Sequence, residues 1–196
     1  MDFSCWDPAE LAAAWRAARP FPHVILDDLL APAELEALRA GVAREPHFSN
    51  ASAFYEMMAS AQPPRRPELN DFCAGLDAAR PFVEAVTGKS LGRVELRSYV
   101  YLAGSFLLPH NDAGASARRQ VSWAYYLMPP EATEGGELEL FECTMEGDEV
   151  VATRSGLRIA PVANRLVLFD VSQISLHQVR EVTSGARVSL SGWFYP

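Results

Sequence analysis

His110 and Asp112 stand two residues apart in "LLPHNDAG", at the end of an apolar extended run and just ahead of a glycine turn. In an extended segment alternate side chains leave on the same side roughly 6.5–7 Å apart, so an imidazole and a carboxylate at this spacing can converge on one ion. The triplet alone is weak evidence, because four histidines and nine aspartates in 196 residues produce about 0.2 such triplets by chance. A metal would need a third protein ligand from a distant segment. His177, in "SLHQVREV", is the best candidate, since His23 opens a short strand and His47 lies in a polar stretch, both outside the β-rich half of the chain. Two histidines and one carboxylate on one face of an ion leave three adjacent positions open, the arrangement that suits Fe(II) with a co-substrate and dioxygen.

Ten residues after His177, Arg187 opens the last strand-like run, "RVSLSGWFY". Alternation puts Val188, Leu190 and Phe194 on one face and Arg187, Ser189, Ser191 and Trp193 on the other. A guanidinium turned into a barrel is costly unless an anion meets it. If 2-oxoglutarate chelates the iron through its 2-oxo acid end, its far carboxylate needs such a fork with a hydroxyl beside it, and Ser191 or Tyr126 could supply the hydroxyl. In "QVSWAYYLM" the bulky Val121, Trp123, Tyr125 and Leu127 share one face, while Ser122, Ala124 and Tyr126 leave room on the other.

These residues must be positioned by elements that the hydrophobic pattern outlines. "DPAELAAAWRAARP" reads as a helix capped by Asp7 with Pro8 in its first turn, "HVIL" as a short strand and "PAELEALRAGVARE" as a second helix. Residues 46 to 66, rich in proline, read as a long loop, and "PELNDFCAGLDAARPFVEAVTG" as a helical region interrupted at Pro81 and ending at Gly88. From about residue 92 onward the period changes to short β-rich runs separated by Gly, Pro, Asn and Ser. Many short strands behind a set of helices predict a sandwich, jelly roll or barrel with helices covering one sheet.

The segments "YLAGSFLLPHND", "YYLMPP", "GGELELF", "NRLVLFDVSQISLHQV" and "ARVSLSGWFY" occur in the order and spacing of the prolyl-4-hydroxylase-like 2-oxoglutarate/Fe(II)-dependent dioxygenases, which the chain resembles over roughly residues 95 to 195. Its tail looks especially similar to the eukaryotic ribosomal prolyl hydroxylases. The resemblance implies an α+β fold, a double-stranded β-helix (jelly roll) with N-terminal helices packed on one sheet. It also implies one domain over 1–196, with 1–91 as mainly helical support and 92–196 as the β-helix core. By it His110, Asp112 and His177 would be the iron ligands, Arg187 the anchor of the 2-oxoglutarate carboxylate, Tyr126 its hydroxyl partner, and Tyr101 and Ser191 further cofactor contacts. The implied activity consumes O2 and 2-oxoglutarate, with ascorbate as a supporting reductant, and hydroxylates a prolyl residue in a protein or peptide. A free amino acid or small natural product is the alternative substrate. A non-catalytic β-helix interaction module is the alternative class, and such a module would usually have lost a ligand or the arginine.

Composition narrows the field further. A net charge of -8 with no basic run argues against nucleic acid as a partner. Three cysteines far apart, Cys5, Cys73 and Cys143, fit reduced thiols better than a disulfide frame, and no run of eighteen apolar residues suggests a membrane span. A start carrying Asp2, Asp7 and Glu10 does not read as a signal peptide, so a soluble cytoplasmic protein is expected. The segment 131 to 149 holds eight acidic residues and no basic one, and is either a solvated hairpin or an attractor for a basic peptide. Together with the 46 to 66 loop it is a candidate for the substrate rim. Trp193 either lines the pocket or fills the core.

Overall fold

The structure is a computed structural model that describes residues 1–114, 118–128 and 133–196. Proline in the first turn starts each helix, where a missing N–H costs nothing: α1 (Pro8–Ala17), α2 (Pro32–Arg44), α3 (Pro67–Ala78) and α4 (Arg80–Thr87). Asp7 caps α1 by accepting the Ala9 N–H at 2.8 Å. Pro81 cannot continue a helix from α3, so the chain breaks at Ala79 and restarts as α4, which ends at Gly88 in the left-handed region at φ +73°.

Strands β1 (His23–Leu26), β2 (His47–Ala51), β3 (Tyr55–Ser60), β4 (Arg93–Val94), β5 (Arg97–Leu102), β6 (Phe106–His110), β7 (Val121–Tyr126), β8 (Thr133–Gly135), β9 (Leu138–Glu146), β10 (Glu149–Ile159), β11 (Leu166–Asp170), β12 (His177–Val179) and β13 (Val182–Tyr195) form one antiparallel system. Its path runs β1-β11-β7-β13-β5-β3-β6-β12-β9-β10, with β2 on β3 and with β4 and β8 on β13. The sheet curls on itself. One apolar core lies between the helices and one face of the sheet, joining Trp15, Leu38, Leu69, Phe72 and Val83 to Trp123, Tyr125, Leu168 and Phe194. The opposite face lines the inside of the curl, with Phe21, Ala124, Tyr126, Leu140 and Phe169 in one cluster and Met57, Tyr101, Val179 and Val182 in another. The alternation read from β7 is the one observed, since Val121, Trp123, Tyr125 and Leu127 all join the helix-side core.

Two expectations need correction. The stretch 46 to 66 is not one long loop: it contains the β2–β3 hairpin, paired from His47↔Ser60 to Ala51↔Glu56. β3 goes on to pair with β5 through Met58↔Val100 and with β6 through Tyr55↔Leu107, so it lies within the sheet. The first half of the chain therefore contributes β1, β2 and β3 to the sheet and is more than a helical support. "YEMMAS" carries little β-propensity, and its backbone becomes a strand because both neighbours offer unpaired edges. The acidic run, from Thr133 on, takes the solvated form: β9 and β10 make a hairpin in which β10 is almost wholly exposed and Arg154 pairs with Glu142. Glu131 and Ala132 lie outside the described residues.

Asn164 ties the helical layer to the sheet. Held in the left-handed region at φ +65°, it accepts from the Leu30 N–H at 2.8 Å and the Tyr125 hydroxyl at 2.7 Å and donates to the Leu30 carbonyl at 2.8 Å. Asparagine tolerates that backbone better than most residues, and its amide satisfies three polar groups in a buried place. Asn164→Ala should lower the unfolding free energy by about 3 kcal/mol and Tyr125→Phe by about 1 kcal/mol, read from denaturant melts.

Candidate metal centre and its pocket

The two histidines that lie far apart in sequence are cross-strand neighbours in space. β12 pairs with β6 so that His177 stands opposite His110, and their rings lie 4.3 Å apart between centroids. His110 Nδ1 hydrogen-bonds the Leu108 carbonyl at 2.9 Å and His177 Nδ1 the Ser175 carbonyl at 2.9 Å. A carbonyl only accepts, so each Nδ1 carries the proton and each Nε2 presents a lone pair to the site. Asp112 lies two residues past the end of β6, with Oδ1 3.8 Å from His110 Nε2 and Oδ2 3.6 Å from His177 Nε2. One ligand atom from each of the three falls within 4.8 Å of the others, so the donor set fits a divalent ion that takes nitrogen and oxygen.

Electrostatics prepare these groups for a cation. Burial and the neighbouring His110 push the His177 imidazole down to about 4, so it is neutral at physiological pH despite the facing Asp112. For Asp112 burial works upward, but His177, the Ser122 hydroxyl and the Trp193 side chain outweigh it and hold the carboxyl below its ordinary value. Ser122 Oγ donates to Asp112 Oδ2, and Arg119 Nη1 approaches Oδ1 at 3.4 Å. Phe169 meets the His177 ring edge-on at 4.7 Å.

The same cavity, about 290 Å³, reaches from this cluster to Arg187. Arg187 is 3% exposed, lies between the Tyr101 and Tyr126 rings at 4.9 and 5.0 Å, and donates to Ser189 Oγ at 3.0 Å. Its Nε and the Tyr126 hydroxyl are buried with no hydrogen-bond partner among the described residues. Burial pushes both tyrosine hydroxyls up, so they stay protonated as donors. A buried cation beside unpartnered donors is the environment of an anion-binding site. Gly136, at φ +71°, permits it: a Cβ there would stand 3.0 Å from Arg187 Cδ.

Tyr101 and Ser191 both line the cavity, but the hydroxyl on Arg187 is that of Ser189, not Ser191. Ser191 lies one strand repeat further along, opposite Ala124 and Arg97. Trp193 lines the mouth, with the Arg119 guanidinium stacked 3.6 Å above its ring. His23 and His47 are not part of the cluster, His23 being bonded to the Phe21 carbonyl and His47 to Ser98 Oγ. Ser122, Ser189, Arg119, Phe169, Tyr55 and Met57 are pocket or ligand contacts that motif spacing does not single out. The inward alternation of β7 and β13 already places Ser122 and Ser189 on the correct face.

Two histidines and a carboxylate inside a curled antiparallel sheet are the donor set that suits a single metal ion held in the facial-triad manner. Residues 96–195 match the model of the 2OG-Fe(II) oxygenase superfamily, and the chain belongs to that family, whose cofactors are ferrous iron, 2-oxoglutarate and O2. It is 32% identical over 189 residues to prolyl 3-hydroxylase sudestada1 of Drosophila melanogaster, covering 90% of this chain and 34% of that protein. It is 33% identical over 121 residues to prolyl 3-hydroxylase OGFOD1 of Mus musculus, covering 59% of this chain and 21% of that protein. The chain thus spans about a third of the length of the first of these relatives and about a fifth of the second. In fold it is similar to a Pseudomonas putida prolyl-4-hydroxylase, with TM-score 0.74 and 23% identity over 94% of this chain and 98% of that one. It is also similar to a Trichoplax adhaerens prolyl hydroxylase in complex with a hypoxia inducible factor peptide fragment, with TM-score 0.72 and 15% identity over 96% and 88% of the two chains. Both share the double-stranded β-helix with helices on one sheet. Among the described residues no helix is long and apolar enough to cross a membrane.

The depressed His177 pKa has a consequence for the metal-free protein. A group lowered from 6.5 to about 4 on folding contributes stability that is present above pH 6.5 and is lost as pH falls through the folded value. Between these limits the slope reaches about 1.4 kcal/mol per pH unit. Denaturant melts of the metal-free protein should therefore show the wild type losing more stability than His177→Gln between neutral pH and pH 5. Equal slopes would contradict the assignment.

Proposed function

We propose that the protein is a 2-oxoglutarate- and O2-dependent Fe(II) hydroxylase acting on a prolyl residue in a protein or peptide. The observation that carries this reading is the pairing, in one cavity, of the His110, Asp112 and His177 cluster with a buried guanidinium whose Nε has no partner among the described residues. The names of the relatives, prolyl 3-hydroxylases by sequence and prolyl hydroxylases by fold, support the substrate class.

In this reading His110 Nε2, Asp112 and His177 Nε2 hold the iron, and Arg187 binds the far carboxylate of 2-oxoglutarate with Ser189 and the Tyr126 hydroxyl beside it. When bound, the ferrous ion supplies the oxidative chemistry, in which one oxygen atom of O2 ends in succinate and the other in the substrate C–H bond, with release of CO2. The protein's own part is geometric and electrostatic. Two backbone carbonyls keep the imidazole protons on Nδ1, and Ser122 keeps the Asp112 carboxylate oriented. Leu138, Val179, Phe169 and Met57 wall the cavity with apolar surface and exclude water from it. Trp193 with the stacked Arg119 forms a flat, charged edge at the mouth against which a pyrrolidine ring and its flanking carbonyls can lie. The free thiols of Cys5, Cys73 and Cys143 support a reducing, cytoplasmic setting.

The test is to supply Fe(II), 2-oxoglutarate, ascorbate and O2 with proline-containing peptides, and to follow succinate together with a gain of one oxygen atom on proline by mass spectrometry. Turnover should vanish in Asp112→Ala. Arg187→Ala should weaken 2-oxoglutarate binding by about a hundredfold or more, since breaking one side of a buried charge pair costs roughly 3 kcal/mol or more, while bound iron stays near the wild-type level. Oxygen transfer to a free amino acid but to no peptide would replace the substrate class. Absence of any 2-oxoglutarate turnover, with no iron-dependent 2-oxoglutarate binding, would leave a non-catalytic module.

A further inference from the structure

Behind the strand that carries His177 lies a carboxylate that the proposed chemistry leaves without a task. Glu139 sits on β9 between Leu138 and Leu140, which face into the curl, so its own side chain faces outward. It is nevertheless only 2% exposed, covered by four donors. From β10, Ser155 Oγ donates to Oε1 and Arg158 Nε reaches the same oxygen at 3.2 Å. From β12 and the residue that follows it, Gln178 Nε2 donates to Oε2 at 2.6 Å and Arg180 Nη1 at 3.1 Å. Burial opposes ionisation here, but these hydrogen bonds prevail and hold the carboxyl at about 2, so it is a permanent anion.

Packing alone does not ask for a charge at this place, because an apolar group of the same size would fill it at no desolvation cost. What distinguishes the site is the strand it grips. β12 is three residues long, and its pairing with β6 shifts register between His177 and Val179. Gln178 is its middle residue, with His177 and Val179 directed into the cavity and the Gln178 side chain to the opposite face. So short a strand resists rolling about its own axis poorly through backbone bonds alone, and any roll carries the His177 ring with it. A grip on the outer face at Gln178 stops that roll.

We propose that Glu139 is a positioning residue for the metal centre: through Gln178 and Arg180 its carboxylate fixes the roll and register of β12, and with them the place of His177 Nε2 opposite His110 and Asp112. This rests on the metal reading above. The two pairs of donors make the claim separable from simple structural support, because Ser155 and Arg158 bind the carboxylate to the outer hairpin whereas Gln178 and Arg180 bind it to the ligand strand.

The experiment is a Co(II) titration of the metal-free protein, reading the dissociation constant and the visible absorption of bound cobalt alongside the thermal midpoint. Glu139→Gln and Gln178→Ala should each weaken cobalt binding about tenfold and alter the absorption, as loss of an outer-shell partner does at other metal sites. The double variant Ser155→Ala/Arg158→Ala should melt earlier yet keep wild-type affinity and spectrum. Should Glu139→Gln fail to fold, Gln178→Ala carries the test alone. Wild-type affinity and spectrum in Gln178→Ala, or an equal loss of affinity in the hairpin-side double variant, would overturn the inference while leaving the metal reading intact. A wild-type protein that binds no cobalt would overturn the metal reading and this inference with it.

Discussion

The cross-strand register that sets His177 opposite His110 is the constraint on which the rest depends. Sixty-six positions separate them in the chain, and only the antiparallel pairing of β12 with β6 brings both rings to one side. A slip of one residue would turn either ring to the outer face, since side-chain direction alternates along a strand. Each ring is fixed a second time by its Nδ1 bond to the carbonyl two residues earlier, so the local backbone chooses the tautomer while the sheet chooses the position. Asp112 completes the set from a buried bend tied to β7 by Ser122.

The other end of the cavity obeys a different rule. Among the described residues no carboxylate pairs with the buried Arg187, which is flanked by two aromatic rings and one serine. The desolvation of a lone guanidinium is expensive, which supports the proposal that an anion from outside the chain balances it. The curl of the sheet places this cation and the His110, Asp112 and His177 cluster along one cavity, so the spacing of the two ends is set by β13, β6 and β12, with Asp112 on the bend just past β6. His110, His177 and Arg187 stand on strands, where geometric tolerance is small.

How much of this is legible in the sequence, and where, has a physical reason. His110, Asp112, His177 and Arg187 are conspicuous in β-rich surroundings, the family resemblance points to the same four, and alternation assigns faces in β7 and β13. The same alternation could not choose between Ser189 and Ser191, which share a face and differ only in how far along it Arg187 reaches. β3 is hidden in the sequence because "YEMMAS" owes its strand to its hairpin partner β2 and to β5 and β6, 40 to 52 residues away, and not to its own propensity. Glu139 looked like one acid among eight in a solvated run. Its burial depends on Ser155, Arg158, Gln178 and Arg180, and nothing local announces them.

The most direct measurement of the central claim is an anaerobic titration of the metal-free protein, first with ferrous iron and then with 2-oxoglutarate, followed by visible absorption. The account predicts one iron per chain and, on adding the keto acid, a new charge-transfer band that is absent in His177→Ala and needs far more 2-oxoglutarate in Arg187→Ala. Stoichiometric iron with no such band, or an undiminished band in His177→Ala, would contradict it.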